Sequence, residues 1–451
     1  MNSFEPYLEI LSTSLRNLDS WRRSFGEMDS ENNLSPNQFK EIEQILHRLE
    51  ERLEGNYPFH HPQYAGQMLK PPHPIAWLAY SLAMSINPNN HALDGGPPTS
   101  AMEKESISAL AEMMGYGSGY LGHLTSAGTI ANLEALFVAR ELHPDQAIAA
   151  TSNAHYTHKR MCGVLNCDFI EIPCTADGIP DFDFIAEHAS QIGTLVVTMG
   201  TTGLGTVEPL SKLNQLAKKV GFRIHADAAY GGFFKIIGDK LSSKVDWDSL
   251  HECDSIVIDP HKHGLQPYGC GCVLYKDPDV GTFFKHDSPY TYFTSDELHL
   301  GEISLECSRA GASAAALWAT LQLLPLTEDG LGSILHRCKT AAEEFSGLIN
   351  NHPDWSIYLP PQLDIVGYFK IPATKNISEL NLINKEIFQK GMSDKKNGFH
   401  LSLFSIPADQ FIKKFPDFNP DMPTATILRS VFLKPEHKNF VTELVDRLFS
   451  A

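Results

Sequence analysis

Six short, mainly apolar runs constrain this chain more than any other feature. They are "AIAAT" (147–151), "FIEIP" (169–173), "TLVVTM" (194–199), "RIHAD" (223–227), "SIVID" (255–259) and "GCVLY" (271–275). Strands of this kind do not alternate apolar with polar residues, so both of their faces must be covered. Between them lie stretches with helical spacing, "DFDFIAEHAS" (181–190) and "EPLSKLNQLAKKVG" (208–221), the second with a Gly stop. Strand, helix and strand in this succession predict an α/β fold with a mainly parallel central sheet and helices on both faces.

The flanks read differently. Residues 1–60 form an N-terminal helical arm: Ser35 is a cap, Pro36 opens the helix, and apolar residues recur near a 3.6 period up to Gly55. Residues 61–325 form the large domain, and 326–451 a small C-terminal α+β domain. In the latter a long helix near "GSILHRCKTAAEEFSGLINN" precedes the strands "IVGYFKIP" and "ATILRSVFL" and a last helix "EHKNFVTELVDRLFSA". The 451 residues are enough for this arrangement.

Lys and Arg number 36 against 54 acidic residues, a formal net charge of -18, so no nucleic-acid or anionic-membrane partner is expected. No run reaches the roughly 20 apolar residues that span a bilayer. The opening "MNSFEPYLEI" carries acids where a signal peptide carries bases, which points to the cytoplasm. Eight scattered cysteines include no C-x-x-C, and His60, His61, His73 and His91 lack metal-ligand spacing. Reduced thiols and no metal site are expected.

Ligands of open α/β sheets sit beyond the carboxyl ends of the strands. There this sequence places "SNAHYTHKR", "GTTGLG", "AAYGGFF" and "PHKHG", and so His155, Thr201, Thr202, Asp227 and Lys262. A fifth element, "LTSAGTIANLEALFVAR" (124–140), is a short polar turn opening an amphipathic helix, whose free N–H groups make an anion site. Phosphate cradle, strand-end aspartate, stacking histidine and strand-flanking lysine together suit pyridoxal 5'-phosphate. Lys262 forms the Schiff base, and Asp227 keeps the pyridine nitrogen protonated. Ser126, Gly128 and Thr129 hold the phosphate, while the Thr201 and Thr202 hydroxyls reach ring oxygens.

"HADAAYGG", "DPHKHG" about 35 residues later, "GTTGLGTVEPL" and "AHYTHKR" upstream resemble the group II pyridoxal-phosphate-dependent amino acid decarboxylases. The resemblance covers roughly residues 60–325. It implies a fold-type I architecture, a homodimer with active sites at the subunit interface, and loss of carbon dioxide from an L-amino acid. It assigns the cofactor lysine to Lys262, the pyridine partner to Asp227, the ring-packing residue to Ala229 and the stacking, acid–base histidine to His155. Ala127 belongs to the phosphate turn, and Asp259 and His261 lie near the phosphate. The family loop matching "KHDSPYTYFTSDELHLGE" (285–302) carries a proton-donating tyrosine, here Tyr292 with Tyr290 in reserve. "ECSRAGASAAALWATL" resembles the segment that lends phosphate contacts across the dimer, with Ser308, Arg309 and Gly311 as candidates. Gln67 and Met68 are candidates for the substrate pocket.

Two departures stand out. Asp259 replaces Asn or Ser beside the phosphate, which it would repel unless it points away or pairs with a base such as His261. His263 follows the lysine where aromatic-specific relatives have Trp, which weakens an assignment to aromatic substrates. A second reading keeps the cofactor and cleaves Cα–Cβ, as aldehyde-lyases do, but it needs a basic subsite that the sequence does not display.

Overall fold

The computed structural model describes residues 4–26, 34–285, 300–394 and 397–451. The main sheet holds seven strands: β1 (Leu121–Thr125), β2 (Ala147–Thr151), β3 (Phe169–Ile172), β4 (Ile192–Thr198), β5 (Arg223–Asp227), β6 (Ser255–Ile258) and β7 (Gly271–Tyr275). Their order is β1-β7-β6-β5-β4-β2-β3. Neighbours from β6 through β3 are parallel, while β7 runs antiparallel to both β6 and β1. The six apolar runs correspond to six of these strands, and β2, β4, β6 and β7 are buried at every position. The expected α/β class, with its mainly parallel sheet, is what the chain adopts. β1 was not among the runs because "LGHLT" is interrupted by His123. That ring is fully buried, with Glu134, on the helix after β1, 3.0 Å from its Nε2.

Strands β1, β2, β4, β5 and β6 all end at one edge. The helices of the first 165 residues are α1 (Glu5–Arg23), α2 (Pro36–Leu53), α3 (Pro74–Met84), α4 (Pro97–Met114), α5 (Gly128–Leu142) and α6 (Thr157–Leu165). α5 starts three residues after β1 and α6 six residues after β2, so both N-termini meet at that edge.

The second sheet is antiparallel, with β8 (Trp355–Ile357), β9 (Ile365–Lys370), β10 (Ser402–Pro407) and β11 (Thr424–Val431) in the order β10-β11-β9-β8. Helices Leu331–Asn350 and Val441–Phe449 cover one side of it through Phe345, Tyr368, Phe432 and Leu444. The last helix begins at Val441, after a 3-10 turn over Pro435–Asn439 that Pro435 opens. Residues near Ala65 also join this unit: the Ala65 N–H donates to the His400 carbonyl at 2.8 Å.

At the N-terminus Ser35 caps α2 with a reciprocal bond to Gln38, and the helix ends at Leu53, two residues before Gly55. No residue of α2 is buried. Among the described residues no helix is long and apolar enough to cross a membrane.

Candidate active site

The turn that carries Lys262 is built tightly. β6 ends at Ile258, and the His261 N–H and imidazole Nδ1 both reach the Cys270 carbonyl, tying the turn to the approach of β7. Leu265, three residues past the lysine, sits at φ 65°, a left-handed conformation that costs a non-glycine residue roughly 1–2 kcal/mol. Such strain persists only where its surroundings hold it, here a bond from the His73 N–H to the Leu265 carbonyl and nearly complete burial.

Lys262 opens on a cavity of about 200 Å³ lined by Ala127, Gly128, Thr129, His155, Thr202, Asp227, Ala229, Asp259 and His261, together with Asn132, Thr157, Thr198, Gly200 and Tyr230. The lysine amine and the strand-end carboxylate therefore share one cavity. At its floor α5 begins with no side-chain cap at Ala127, leaving the first N–H groups available to an anion. β7 packs so closely on this turn that a Cβ on Gly271 would lie 2.5 Å from the Ala127 carbonyl carbon.

Asp227 is buried; its Oδ2 accepts from His158 Nε2 at 2.8 Å and its Oδ1 from the Ala229 N–H at 3.2 Å. Burial pushes its pKa up, but the His158 bond and the nearby Lys262 charge outweigh that and hold it well below the usual carboxylate range. His155 accepts at Nδ1 from the Thr157 N–H, and burial pulls its pKa down, so the ring is neutral near pH 7. Lys262 Nζ lies 3.0 Å from Asp259 Oδ2, and His261 Nε2 lies 3.6 Å from the same oxygen. The acid at 259 thus pairs with a base, as its position beside the phosphate turn requires, though the nearer base is Lys262.

The residues suit pyridoxal phosphate on these grounds. An ionised carboxylate faces the cavity, an amine stands within it, and an uncapped helix start closes one end. Thr198, which lines it, has its hydroxyl buried without a hydrogen-bond partner among the described residues, as has Asp259 its Oδ1.

Other expected residues lie elsewhere. The Ser126 N–H donates to Glu306 Oε2. Thr201 bonds Thr206 at 2.8 Å and lines an adjoining cavity of about 470 Å³. Gln67 lines that second cavity too, whereas Met68 packs on the core. Ser308 accepts from Asn89 and Gly311 opens helix Gly311–Leu323, neither lining the first cavity; the resemblance gives both to the partner's cofactor. Arg309 is held by Glu103 at 3.0 Å and by the Leu124 carbonyl. Tyr290 and Tyr292 lie outside the described residues. His263 turns away from the cavity: its Nε2 meets Asp364 Oδ2 at 2.8 Å and its Nδ1 the Tyr230 carbonyl at 2.9 Å. It therefore reports nothing about substrate preference, and the inference against aromatic substrates loses its support.

Three residues escaped the sequence reading. His158 stands one helical turn past His155. Asn132 stands one turn into α5 and bonds the Gly128 carbonyl and His225. Arg429, 4% exposed, lines the second cavity. An arginine in the mainly apolar "ILRSVFL" was the signal for it.

The family model for the pyridoxal-dependent decarboxylase conserved domain matches residues 27–371. The chain belongs to the pyridoxal-dependent decarboxylase family. This decarboxylase is 26% identical to an L-tyrosine decarboxylase of Enterococcus faecium, over 77% of this chain and 75% of that protein. It is 26% identical to an L-2,4-diaminobutyrate decarboxylase of Acinetobacter baumannii (78% and 76% covered) and to an L-aspartate decarboxylase of Thermococcus kodakarensis (81% and 92%). Its fold matches the crystal structure of Catharanthus roseus tryptophan decarboxylase in complex with L-tryptophan, with a TM-score of 0.77 at 15% identity, over 100% and 99% of the two chains. The glutamate decarboxylase domain from Vibrio parahaemolyticus matches at 0.74 and 17%, over 99% and 96%. Family and relatives are decarboxylases, and nothing in them favours cleavage of Cα–Cβ. The decarboxylase uses pyridoxal phosphate as its cofactor.

Proposed function

We propose a division of labour among these residues for the decarboxylation of an L-amino acid by this enzyme. Lys262 would carry the cofactor on its amine. Asp227 would hold a proton at the pyridine nitrogen, Ala229 and His155 would pack on the ring, and the start of α5 from Ala127 to Thr129 would bind the phosphate. Thr202 would reach a ring oxygen. When bound, pyridoxal phosphate supplies the electron sink for the breaking bond. The observation that carries this reading is that Lys262 and Asp227 line one cavity closed by an uncapped helix start.

Arg429 orients the substrate carboxylate. Its Nε donates to the Gly203 carbonyl, Nη1 to the Gly66 carbonyl and Ser402 Oγ, and Nη2 to the Thr202 carbonyl. Four of five N–H donors are thus taken by neutral acceptors. The remaining Nη2 hydrogen has none among the described residues, and no carboxylate there partners the cation. A substrate anion is the missing counter-charge. When it leaves as neutral carbon dioxide, the four neutral acceptors still hold the guanidinium. Tyr292, on the strength of the resemblance, returns the proton to Cα, and His155 is the alternative donor.

The same reading includes a homodimer. On α2 the side chains of Phe39, Ile42, Leu46, Leu49 and Leu53 recur at alternating spacings of three and four residues, and each is 38% exposed or more. A stripe of that spacing is a helix-pairing face. A second copy covers it and brings Ser308 and Gly311 to this cofactor. The arm (1–60), large domain (61–325) and small domain (326–451), acting in the cytoplasm, complete the proposal.

The test is a panel of L-amino acids, acidic, aromatic and diamino first, with added cofactor. Release of carbon dioxide with the matching amine supports the reading; release of an aldehyde from a β-hydroxy substrate, without carbon dioxide, overturns it.

A further inference from the structure

We infer that His158 is a positioning residue for the cofactor, a neutral hydrogen-bond donor that fixes the Asp227 carboxylate with one oxygen occupied and its negative charge uncancelled. The inference rests on the reading that Asp227 meets the pyridine nitrogen.

Proton accounting fixes the state of the ring. His158 is fully buried in the first turn of α6, and its Nε2 lies 2.8 Å from Asp227 Oδ2. An ionised carboxylate only accepts, so Nε2 carries the proton. The other ring nitrogen, Nδ1, is buried and has no hydrogen-bond partner among the described residues. A proton there would be a buried N–H with nothing to receive it, whereas a bare lone pair is a smaller loss. The ring is therefore neutral, with its hydrogen on Nε2.

The neighbouring histidine on β5 does not change this. His225 Nε2 bonds Asn132 Oδ1 at 2.8 Å, and Asn132 presents that oxygen because its amide nitrogen donates to the Gly128 carbonyl. Nε2 of His225 is thus the donor, and Nδ1 accepts from the Ser255 hydroxyl at 2.8 Å. His225 is neutral as well. Its ring stands edge-on, 6.5 Å from that of His158.

Neutrality matters to the chemistry. A lysine or arginine at 158 would cancel the Asp227 charge and leave little to hold a pyridinium. An apolar residue would leave one oxygen of a buried carboxylate without a donor and free the side chain to turn. A neutral donor fixes the carboxylate, keeps it ionised and leaves its charge for the cofactor. One short segment achieves two tasks: His155 forms the cavity wall, and His158, bonded back to it through the backbone at 3.2 Å, sits beneath Asp227.

The experiment reconstitutes the full-length enzyme with pyridoxal phosphate labelled with nitrogen-15 in the ring. Two readouts apart from turnover are taken: cofactor affinity and the pyridine nitrogen chemical shift. His158→Phe fills the space without a donor, and His158→Gln keeps an N–H. The expected result is at least a tenfold loss of cofactor affinity and a shift towards the unprotonated nitrogen in the Phe variant, both largely restored in the Gln variant. Wild-type values in the Phe variant, or a Gln variant as impaired as Phe, would overturn the inference. Asp227→Asn separates the two levels. If it leaves the pyridine shift unchanged, the reading of Asp227 has failed; if it moves the shift and His158→Phe does not, only the role of His158 has failed. Should the Phe variant not fold, ring-labelled histidine in the wild type decides: a protonated His158 Nε2 whose signal moves on cofactor binding supports the inference, and an unprotonated or unmoved Nε2 overturns it.

Discussion

Arg429 and His225 show how buried polar side chains set behaviour one residue at a time. Arg429→Gln removes the unpaired N–H that faces the substrate cavity. The substrate KM should rise at least tenfold, with cofactor affinity kept within about threefold, a loss of roughly 1.4 kcal/mol or more of binding; steady-state kinetics beside a cofactor titration checks it. His225 bears on pH. Burial lowers its pKa from 6.5 to about 3. Between those values the unfolded chain binds a proton that the native ring refuses, so its contribution to stability is intact above pH 6.5 and is lost as pH falls, by about 1.4 kcal/mol per unit. Glu208 opposes it: burial raises its pKa from 4.5 to about 7, so its contribution is present below pH 4.5 and fades as pH rises. The clean measurement is a difference. The urea stability of wild type minus that of His225→Asn should fall by about 2 kcal/mol between pH 7 and 5; a pH-independent difference would contradict the neutral, buried ring.

Elements bring these residues together, and the sequence was most legible where burial is complete. Runs such as "SIVID" and "TLVVTM" keep their polar residues near the ends and are buried along their length, and Thr202 and Lys262, just past them, line one cavity at that sheet edge. Legibility failed where a polar residue is buried with a partner remote in sequence. His123 concealed β1 because nothing local announces Glu134. His263 was misread because its partner, Asp364, lies 101 residues on. His158 and Arg429 were passed over for the same reason: their significance lies in what they touch. The approach of β7 to the α5 turn gives a test at this scale. Gly271→Ala places a methyl against backbone atoms of Ala127 and Gly128, which cannot yield without moving the helix start. It should lower stability by about 1–3 kcal/mol and weaken cofactor binding more than substrate binding; an unfolding curve and a cofactor titration report the two.

At the scale of the molecule, α2 leaves six large apolar side chains exposed, Phe39, Ile42, Ile45, Leu46, Leu49 and Leu53. If the proposed homodimer forms, the protein runs at twice the chain mass in sedimentation equilibrium. Leu46→Glu combined with Leu49→Glu should yield monomers that bind cofactor weakly, since Ser308 and Gly311 would then be missing from each site. A stable, fully active monomer would remove the shared-site reading and leave the cavity's own residues untouched. Every role assigned in the cavity depends on one covalent attachment inside it. Reducing the reconstituted enzyme with borohydride and mapping the pyridoxyl group by peptide mass spectrometry tests it directly. The group should appear on Lys262 alone and be absent after Lys262→Ala; a pyridoxyl group on any other lysine at full occupancy would contradict it.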